Sequence, residues 1–297
     1  MRELFYICLG GILTLLPLRW LQKLGAGIGY SMWGILWKRR AYAIEAVSRH
    51  LSLPLPQARE IAKASFLHSG QSFLEIMYTR RVTPRFLARQ ISFARPEIAA
   101  RLHAEKRPIV LVSAHLGAWE ISLGYMANLS RQCPKQIVVR LPRDSSLVSV
   151  MMSLRSVGQV EVVPHRQASR SVVNCLRQNG VAGFLVDHNC IQADAIFLPF
   201  LKEIAAVNIG PALLALRTKA LVCPLFAIRE DKGRFCFHGG EILDTLTVQG
   251  SLRERVAFVA AWYTREVEKM VLAHPQQWFW MHKRWKTRPP EEAGGAQ

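Results

Sequence analysis

The sequence predicts an α/β fold with a mixed sheet and helices on both of its faces, preceded by an N-terminal helical region that associates with a membrane. Three observations support this prediction. From residue 105 onwards, strand-like and helix-like segments alternate, which is typical of a sheet covered by helices. Between residues 41 and 104, apolar side chains recur at helical spacing. The first 40 residues are rich in apolar and tryptophan side chains.

The alternating region begins with an apolar run at residues 109–112, which we interpret as a strand buried on both faces. Further strands are predicted at residues 136–140, 160–163, 181–186, 221–228 and 235–238, and helices at residues 145–156, 168–178 and 211–218. The resulting organisation is an N-terminal region at residues 1–40, one domain at 41–289 (helical over 41–104, α/β over 105–289) and a disordered tail at 290–297.

The N-terminal region has the composition of a membrane-associated segment. Its apolar stretch at residues 4–18 is shorter than the roughly 20 residues that cross a bilayer. Trp20, Trp33 and Trp37 lie near basic residues, as is typical of chain at headgroup depth. The net charge of +18, in a chain that is 50% hydrophobic, also suits an anionic membrane surface. We predict a membrane anchor or interfacial helices, with two buried core helices as the alternative.

A histidine and a carboxylate follow the first predicted strand. His115 stands at the carboxyl end of that strand, where ligands bind in open α/β sheets, and Glu120 falls in the first turn of the next helix. An imidazole can take a proton at neutral pH, and a carboxylate on its other nitrogen fixes the tautomer. We predict that His115 is a general base and that Glu120 orients it. The alternative is a turn histidine followed by an ordinary first-turn acid.

The segment HLGAWE, which contains His115 and Glu120, resembles the signature of the bacterial lipid A late acyltransferase family, within the glycerolipid acyltransferase superfamily. Two further blocks, at residues 187–226 and 274–289, resemble the family in the same order. The resemblance implies an O-acyltransferase at the cytoplasmic face of the inner membrane. It would move a fatty acyl group from a thioester of acyl carrier protein or coenzyme A to a hydroxyl of a glycolipid like a lipid A precursor.

The resemblance also implies partners and further site residues. Arg140, at the end of QIVVR, matches a family arginine and is expected to bind phosphate or the oxyanion. Asp187, at the end of FLVD, is expected to order a sugar hydroxyl or the arginine, with helix capping as the alternative. His188 stands where the family more often has a polar amide. Membrane lipid, acyl carrier protein and a glycolipid acceptor are the expected partners, without a cofactor or metal.

Two aromatic groups each have two interpretations. One group could line an acyl-chain pocket or belong to the core, and it comprises Phe66, Phe73, Leu74, Met77 and Tyr78. The other could contact membrane or phosphate or form a packed terminal segment, and it comprises Trp278, Phe279, Trp280 and Trp285, interleaved with His282, Lys283, Arg284, Lys286 and Arg288.

Other functions are also considered. The acceptor could be another glycolipid or a lysophospholipid, or the protein could bind membrane lipid without catalysis. No G-x-S-x-G elbow is present, so direct attack by the acceptor hydroxyl is favoured over a serine intermediate. Zinc-finger, basic-zipper and RRM-type motifs are absent from the sequence, so a nucleic-acid partner is not expected.

Overall fold

The strand that precedes His115 lies near the middle of an eight-stranded mixed sheet. The computed structural model describes residues 11, 13–141, 144, 148, 151–152, 154–155 and 159–290. Its strands are β1 Ile91–Phe93, β2 Ile109–Ser113, β3 Lys135–Val139, β4 Val160–Pro164, β5 Val181–Leu185, β6 Ala195–Phe200, β7 Glu203–Asn208, β8 Leu221–Arg229, β9 Phe235–Gly239 and β10 Leu243–Asp244. The sheet has the order β1-β9-β8-β2-β5-β3-β4, with β10 paired to β8, and β6 and β7 form a separate antiparallel pair.

Helices cover both faces of this sheet. They are α1 Leu18–Ile35, α2 Trp37–Leu51, α3 Leu55–Glu75, α4 Pro84–Gln90, α5 Pro96–Ala104, α6 Trp119–Ala127, α7 Ala168–Arg177, α8 Gly210–Thr218 and α9 Leu252–Ala273. Strand β2 pairs in parallel with both β5 and β8, whereas β8 pairs antiparallel with β9. The predicted α/β class with a mixed sheet is therefore confirmed.

Strand β2 divides the hydrophobic core into two layers. Successive side chains of a strand point to opposite faces. Val110 and Val112 accordingly pack in one layer, with residues from α2, α3, α8 and α9. Ile109 and Leu111 pack in the other, with residues from α5 and α6. A strand that is covered on both faces requires an uninterrupted apolar run, and this is why β2 could be predicted from the sequence.

Helix α1 packs against α3 at a crossing made of glycines. A Cβ atom built on Gly29 would lie 2.2 Å from the carbonyl oxygen of Phe66, and one built on Gly70 would lie 2.1 Å from that of Gly25. Glycine is required at these positions because the two helix backbones approach too closely for any side chain. Trp33 is also buried here, edge-on to Phe66, rather than exposed to a membrane.

The opposite side of α1 is apolar and exposed. Its large exposed side chains, together with those of the turn into α2, are Trp20, Leu24, Ile28, Tyr30, Ile35, Leu36 and Trp37. Among the described residues, however, no helix has both the length and the apolar character that a bilayer crossing requires. The N-terminal region is thus helical and partly buried where it is described, and its predicted association with a membrane remains a prediction.

The structure also contains elements that the sequence did not predict. Strand β1 lies within the region predicted to be helical, and it pairs in parallel with β9. The β6–β7 pair occupies a segment interpreted as a turn, and the 22-residue helix α9 was not predicted. The predicted helix at 145–156 lies largely outside the described residues, as do residues 1–10 and the tail at 291–297.

The glycine crossing predicts opposite effects for two substitutions on one helix. Gly29→Ala should destabilise the fold by about 1–3 kcal/mol, because the new methyl group overlaps the backbone of α3. Gly27→Ala is the matched control: nothing lies within 4 Å of a Cβ at that position. It should stabilise the helix by up to about 1 kcal/mol. Urea unfolding of both variants tests this, and equal stabilities would contradict the packed position of α1.

Candidate active site

Two parallel strands in register bring His115 and Asp187 together. Ser113 at the end of β2 is paired with Leu185 at the end of β5. His115 and Asp187 each lie two residues beyond this pair, so they emerge side by side at the carboxyl edge of the sheet. This edge is where open α/β sheets bind ligands.

The carboxylate of Asp187 holds both the ring and the backbone of His115. Its Oδ1 lies 2.9 Å from His115 Nδ1, and its Oδ2 accepts a hydrogen bond of 2.9 Å from the His115 backbone N–H. An ionised carboxylate only accepts hydrogen bonds, so the ring hydrogen sits on Nδ1 and the lone pair of the neutral ring on Nε2. The His115 side chain is 17% exposed, and that of Asp187 is fully buried.

Asp187 is ionised despite its burial. Burial alone would raise the pKa of Asp187, but the electrostatic effect of His115 and the hydrogen bond to its ring lower the pKa, and His188 and His282 lower it further. The indole Nε1–H of Trp278 donates a further hydrogen bond of 2.9 Å to Oδ2. Asp187 therefore has the contacts of a carboxylate that orients a histidine, rather than those of a helix cap.

The structure corrects the predicted partner of His115. Glu120 lies at the start of α6, where Arg155 binds both of its carboxylate oxygens and Trp119 donates a hydrogen bond of 3.2 Å. The charge of Glu120 raises the pKa of Arg155 against the opposing effect of burial. The five-residue spacing suggested that Glu120 could reach the ring, but the carboxylate on the ring comes from the neighbouring strand 72 residues later.

The loop that carries His115 is held by the carboxyl-terminal segment. The backbone N–H of Gly117 donates to the carbonyl of Gln277, and that of Phe279 donates to the carbonyl of His115, each at 3.0 Å. Gly117 has a φ of +61°, and a Cβ on it would lie 2.1 Å from the carbonyl oxygen of Ala227. The glycine of the HLGAWE motif is therefore a requirement of the backbone.

Helix α3 fixes the same loop from the other side. Ser65 donates to the carbonyl of Trp278 at 2.5 Å, and Ser72 donates to the carbonyl of Gly117 at 2.8 Å. Ser72 and Glu75 both receive hydrogen bonds from Arg229, at the end of β8. This row of buried polar side chains on α3 was not predicted. The only available signal was serine at helical spacing in an otherwise apolar pattern.

The other predicted residues lie at the same edge of the sheet. Arg140 directly follows β3, is exposed, and lies near enough to His188 to help lower its pKa, after the larger effects of desolvation and of His115. The His188 ring lies 4.1 Å from that of His115, measured between centroids. His282 contacts the backbone carbonyl of Asp187 at 3.1 Å, and burial lowers its pKa to about 4. The two substrate-binding roles remain predictions.

An aromatic wall borders His115. Phe73, Trp119 and Phe279 pack edge-to-face with centroid separations of 5.9 to 6.5 Å, and Trp119 and Phe279 also lie beside the His115 ring. Of the group predicted to line an acyl pocket or form core, Phe66 and Leu74 are buried core. Phe73 is 42% exposed beside the site.

The carboxyl-terminal tryptophans belong to the core, whereas Phe279 is only partly buried. Trp278 and Trp280 are each 1% exposed, and the guanidinium of Arg284 is buried against the carbonyl of Ala206. Trp285 stacks on the ring of His50 at 3.6 Å. Of the two interpretations offered by the sequence, the structure shows the packed terminal segment for these residues. Lys283 and Lys286 are exposed.

A histidine oriented by a buried carboxylate, with its second nitrogen directed away from that carboxylate, is an arrangement that suits general-base chemistry on an α/β scaffold. The described residues contain no cluster of three or more His, Cys, Asp or Glu side chains that could hold a metal ion.

Residues 2–287 match the model of the bacterial lipid A biosynthesis acyltransferase family. The chain belongs to this family and is an acyltransferase.

Known relatives match the chain at low identity. The lipid A biosynthesis lauroyltransferase of Escherichia coli K12 is 26% identical over 92% of this chain and 88% of its own length. The palmitoleoyltransferase of the same organism is 22% identical over 65% of this chain and 60% of its own. A lipid A biosynthesis acyltransferase of Haemophilus influenzae is 24% identical over 63% of this chain and 58% of its own.

The two carboxylates should respond differently to replacement by the amide. Asp187→Asn should lower kcat by about two to four orders of magnitude, because the amide no longer fixes the tautomer or stabilises the imidazolium. Glu120→Gln should instead destabilise the fold by about 3 kcal/mol, since it leaves the buried Arg155 without its counter-charge. Steady-state kinetics and urea unfolding of both variants test this. A Glu120→Gln variant of normal stability whose kcat falls as far as that of Asp187→Asn would contradict the assignment.

Proposed function

We propose that this acyltransferase moves a fatty acyl group from a thioester, of acyl carrier protein or coenzyme A, to a hydroxyl of a lipid A precursor-like glycolipid. The observation that carries the proposal is the hydrogen bond between His115 Nδ1 and Asp187, which leaves Nε2 as the basic nitrogen. The family and the names of the two E. coli relatives, a lauroyltransferase and a palmitoleoyltransferase of lipid A biosynthesis, support the acceptor and the fatty acyl group.

The proposed reaction needs no covalent enzyme intermediate. Nε2 of His115 takes the proton of the acceptor hydroxyl, whose oxygen attacks the thioester carbonyl carbon. The charge of Asp187 stabilises the imidazolium formed in this step. When the tetrahedral intermediate collapses, the carbon–sulfur bond breaks and the thiolate takes the proton from His115. The products are an ester and a thiol.

We propose that Arg140 stabilises negative charge in this reaction. It is exposed at the edge of the sheet that carries His115 and Asp187, and its guanidinium cannot lose its proton. A donor aimed at the developing oxyanion, or at a phosphate group that positions the substrate, accelerates reactions of this kind. Phe73, Trp119 and Phe279 are the proposed apolar wall for the fatty acyl chain, because they border His115 and Phe73 remains partly exposed.

Association with the cytoplasmic face of the inner membrane is the second part of the proposal. Trp20 and Trp37 are about 60% exposed. Lys23 lies 5.1 Å from the ring centroid of Trp20, and Lys38 lies 5.2 Å from that of Trp37. Aromatic rings beside basic groups suit the headgroup region of a bilayer. A helix packed on α3 with its other face apolar would lie in the interface rather than cross it.

The catalytic part is tested by His115→Ala. We expect the variant to lose acyl transfer, because the substitution removes the base. We expect it to fold normally, because the substitution removes little buried surface. His165→Ala is the control, since His165 is an exposed histidine outside the site. Mass spectrometry of the total lipid from cells expressing each form should show one added acyl chain on lipid A only with wild type and control. An added chain on a phospholipid instead would identify a different acceptor, and its persistence in His115→Ala would refute the mechanism.

The membrane part is tested by replacing exposed apolar side chains rather than by deleting α1, because α1 is packed into the fold. Trp20→Gln/Trp37→Gln should weaken flotation with phosphatidylglycerol vesicles about tenfold or more, because two interfacial anchors are lost. Phe258→Gln/Leu272→Gln is the control, since these side chains on α9 are also about half exposed. Equal flotation of the two double variants would show that the surface that carries Trp20 and Trp37 is not the membrane face.

A further inference from the structure

A surface rich in arginine lies beside the active site and has no role in the proposed reaction. Residues 76–96 contain five arginines and no aspartate or glutamate. Arg95 forms ion pairs with Glu97 and Glu241. Arg81, Arg85 and Arg89 are all exposed, and within the described part of the chain none of the three forms a salt bridge. We call these three residues the arginine surface.

Two adjoining cavities meet at this surface. One, of about 420 Å³, is lined by Leu15, Met77 and Leu154 together with Thr14, Arg80 and Arg81, and its lining surface is mainly apolar. The other, also of about 420 Å³, is bounded by the arginine surface and by the rings of Tyr78 and Phe86. Both are open to solvent rather than enclosed. An apolar cavity thus adjoins a cationic one.

Local contacts hold this arrangement in place. Arg81 donates hydrogen bonds of 2.9 Å to the carbonyls of Thr14 and Leu16, and its guanidinium lies over the ring of Tyr78. Arg85 and Arg89 are four residues apart on α4, so they share one face of the helix. The arginine surface is therefore built on ordered backbone.

Two residues of the cavity lining lie close in sequence to residues that contact the surroundings of His115. Leu154, in its wall, precedes Arg155, which binds Glu120 beside Trp119. Met77 follows Phe73 by four residues, and Phe73 packs on Trp119. The ring centroid of Trp119 lies 5.3 Å from that of His115. The cavity and the aromatic wall share no lining residue, and they are linked along the chain through Met77 and Phe73 and through Leu154 and Arg155.

We propose that the two cavities form one subsite for an amphiphile that carries a phosphate group. The phosphate binds the arginine surface, because guanidinium groups pair with phosphate through charge and directed hydrogen bonds. An acyl chain of the same molecule occupies the cavity lined by Leu15, Met77 and Leu154. The proposal rests on the proposed function in one respect: the bound amphiphile is the lipid acceptor, whose hydroxyl then reaches His115.

The apolar cavity decides between a lipid and an acidic protein as the ligand. The surface of a folded acidic protein would pair with the arginines but would leave the apolar cavity unfilled. The cavity also adjoins Leu15, which is 79% exposed and precedes the exposed apolar face of α1. Both features suit a molecule with an anionic head and a hydrocarbon chain.

Binding measured without an acyl donor tests the subsite independently of catalysis. The probes for isothermal titration are dihexanoyl phosphatidic acid as a monomer, dihexanoyl phosphatidylcholine, inorganic phosphate and an acidic acyl carrier protein without an acyl chain. We expect wild-type protein to prefer phosphatidic acid over phosphatidylcholine and over inorganic phosphate. Arg85→Gln/Arg89→Gln should weaken phosphatidic acid binding at least about tenfold, because two charged contacts are lost. Met77→Gln should weaken it less and leave inorganic phosphate binding unchanged.

Arg166→Gln/Arg170→Gln is the matched control, because it removes the same two charges from exposed arginines on another surface. Its affinity for phosphatidic acid should stay within about twofold of wild type. Equal weakening in both double variants would mean that net charge alone attracts the lipid, and would overturn the proposal. Inorganic phosphate binding as tightly as the lipid would also overturn it. The proposal would also be overturned if the carrier protein bound through the arginines and phosphatidic acid did not. Normal lipid binding in a protein without acyl transfer would refute the proposed function and leave the subsite standing.

Discussion

The carboxylate of Asp187 is the interaction on which the site depends. Its two oxygens accept hydrogen bonds from the ring and backbone of His115 and from the indole of Trp278. A buried carboxylate is costly unless its charge is paired and hydrogen bonded. The donors here lie on the loop that carries His115 and on the carboxyl-terminal segment that carries Trp278. The cost of burying this single charge therefore enforces the positions of the histidine loop and of the carboxyl-terminal segment together.

A second buried charge, on α3, forms an ion pair with the end of β8. Glu75 on α3 pairs with Arg229 at the end of β8, and both side chains are almost fully buried. Gln277 exchanges hydrogen bonds with the backbone of Arg229, so the pair also fixes the start of the segment that carries Trp278. Such a pair contributes little net stability but makes any alternative arrangement costly. The pair thus ties α3, β8 and the terminal segment to one another.

Local patterns in the sequence predicted local structure well. The strands around β2 were found within about one residue, because burial on both faces produces an apolar run that is hard to mistake. The position of His115 after such a strand marks it as a candidate, and the family resemblance adds Asp187 after another strand. Their pairing was missed because register between strands 72 residues apart is not encoded in any short window. The sequence suggests Glu120 as the partner of the His115 ring because the two residues are close along the chain. The actual partner of Glu120 is Arg155, which no recognisable motif marks.

The tryptophans show a different limit of sequence interpretation. Aromatic rings interleaved with basic residues have the same pattern in an interfacial anchor and in a segment whose polar groups are all satisfied inside a core. Trp33 and Trp278 turned out to be buried, and Trp20 and Trp37 exposed. The difference is made by tertiary partners, such as Phe66 for Trp33 and Asp187 for Trp278, which no periodicity reveals.

The dependence of Asp187 on Trp278 has a consequence for the order in which the protein can acquire activity. In chain order, Trp278 follows every strand that the structure describes. The sheet can thus assemble, and Asp187 can approach His115, before the residue that completes the carboxylate's hydrogen bonds has left the ribosome. Until that segment docks, the loop also lacks the hydrogen bond from Phe279 to His115. A nascent chain therefore carries His115 and Asp187 before their alignment is complete, and the site is completed only when the segment that carries Trp278 docks.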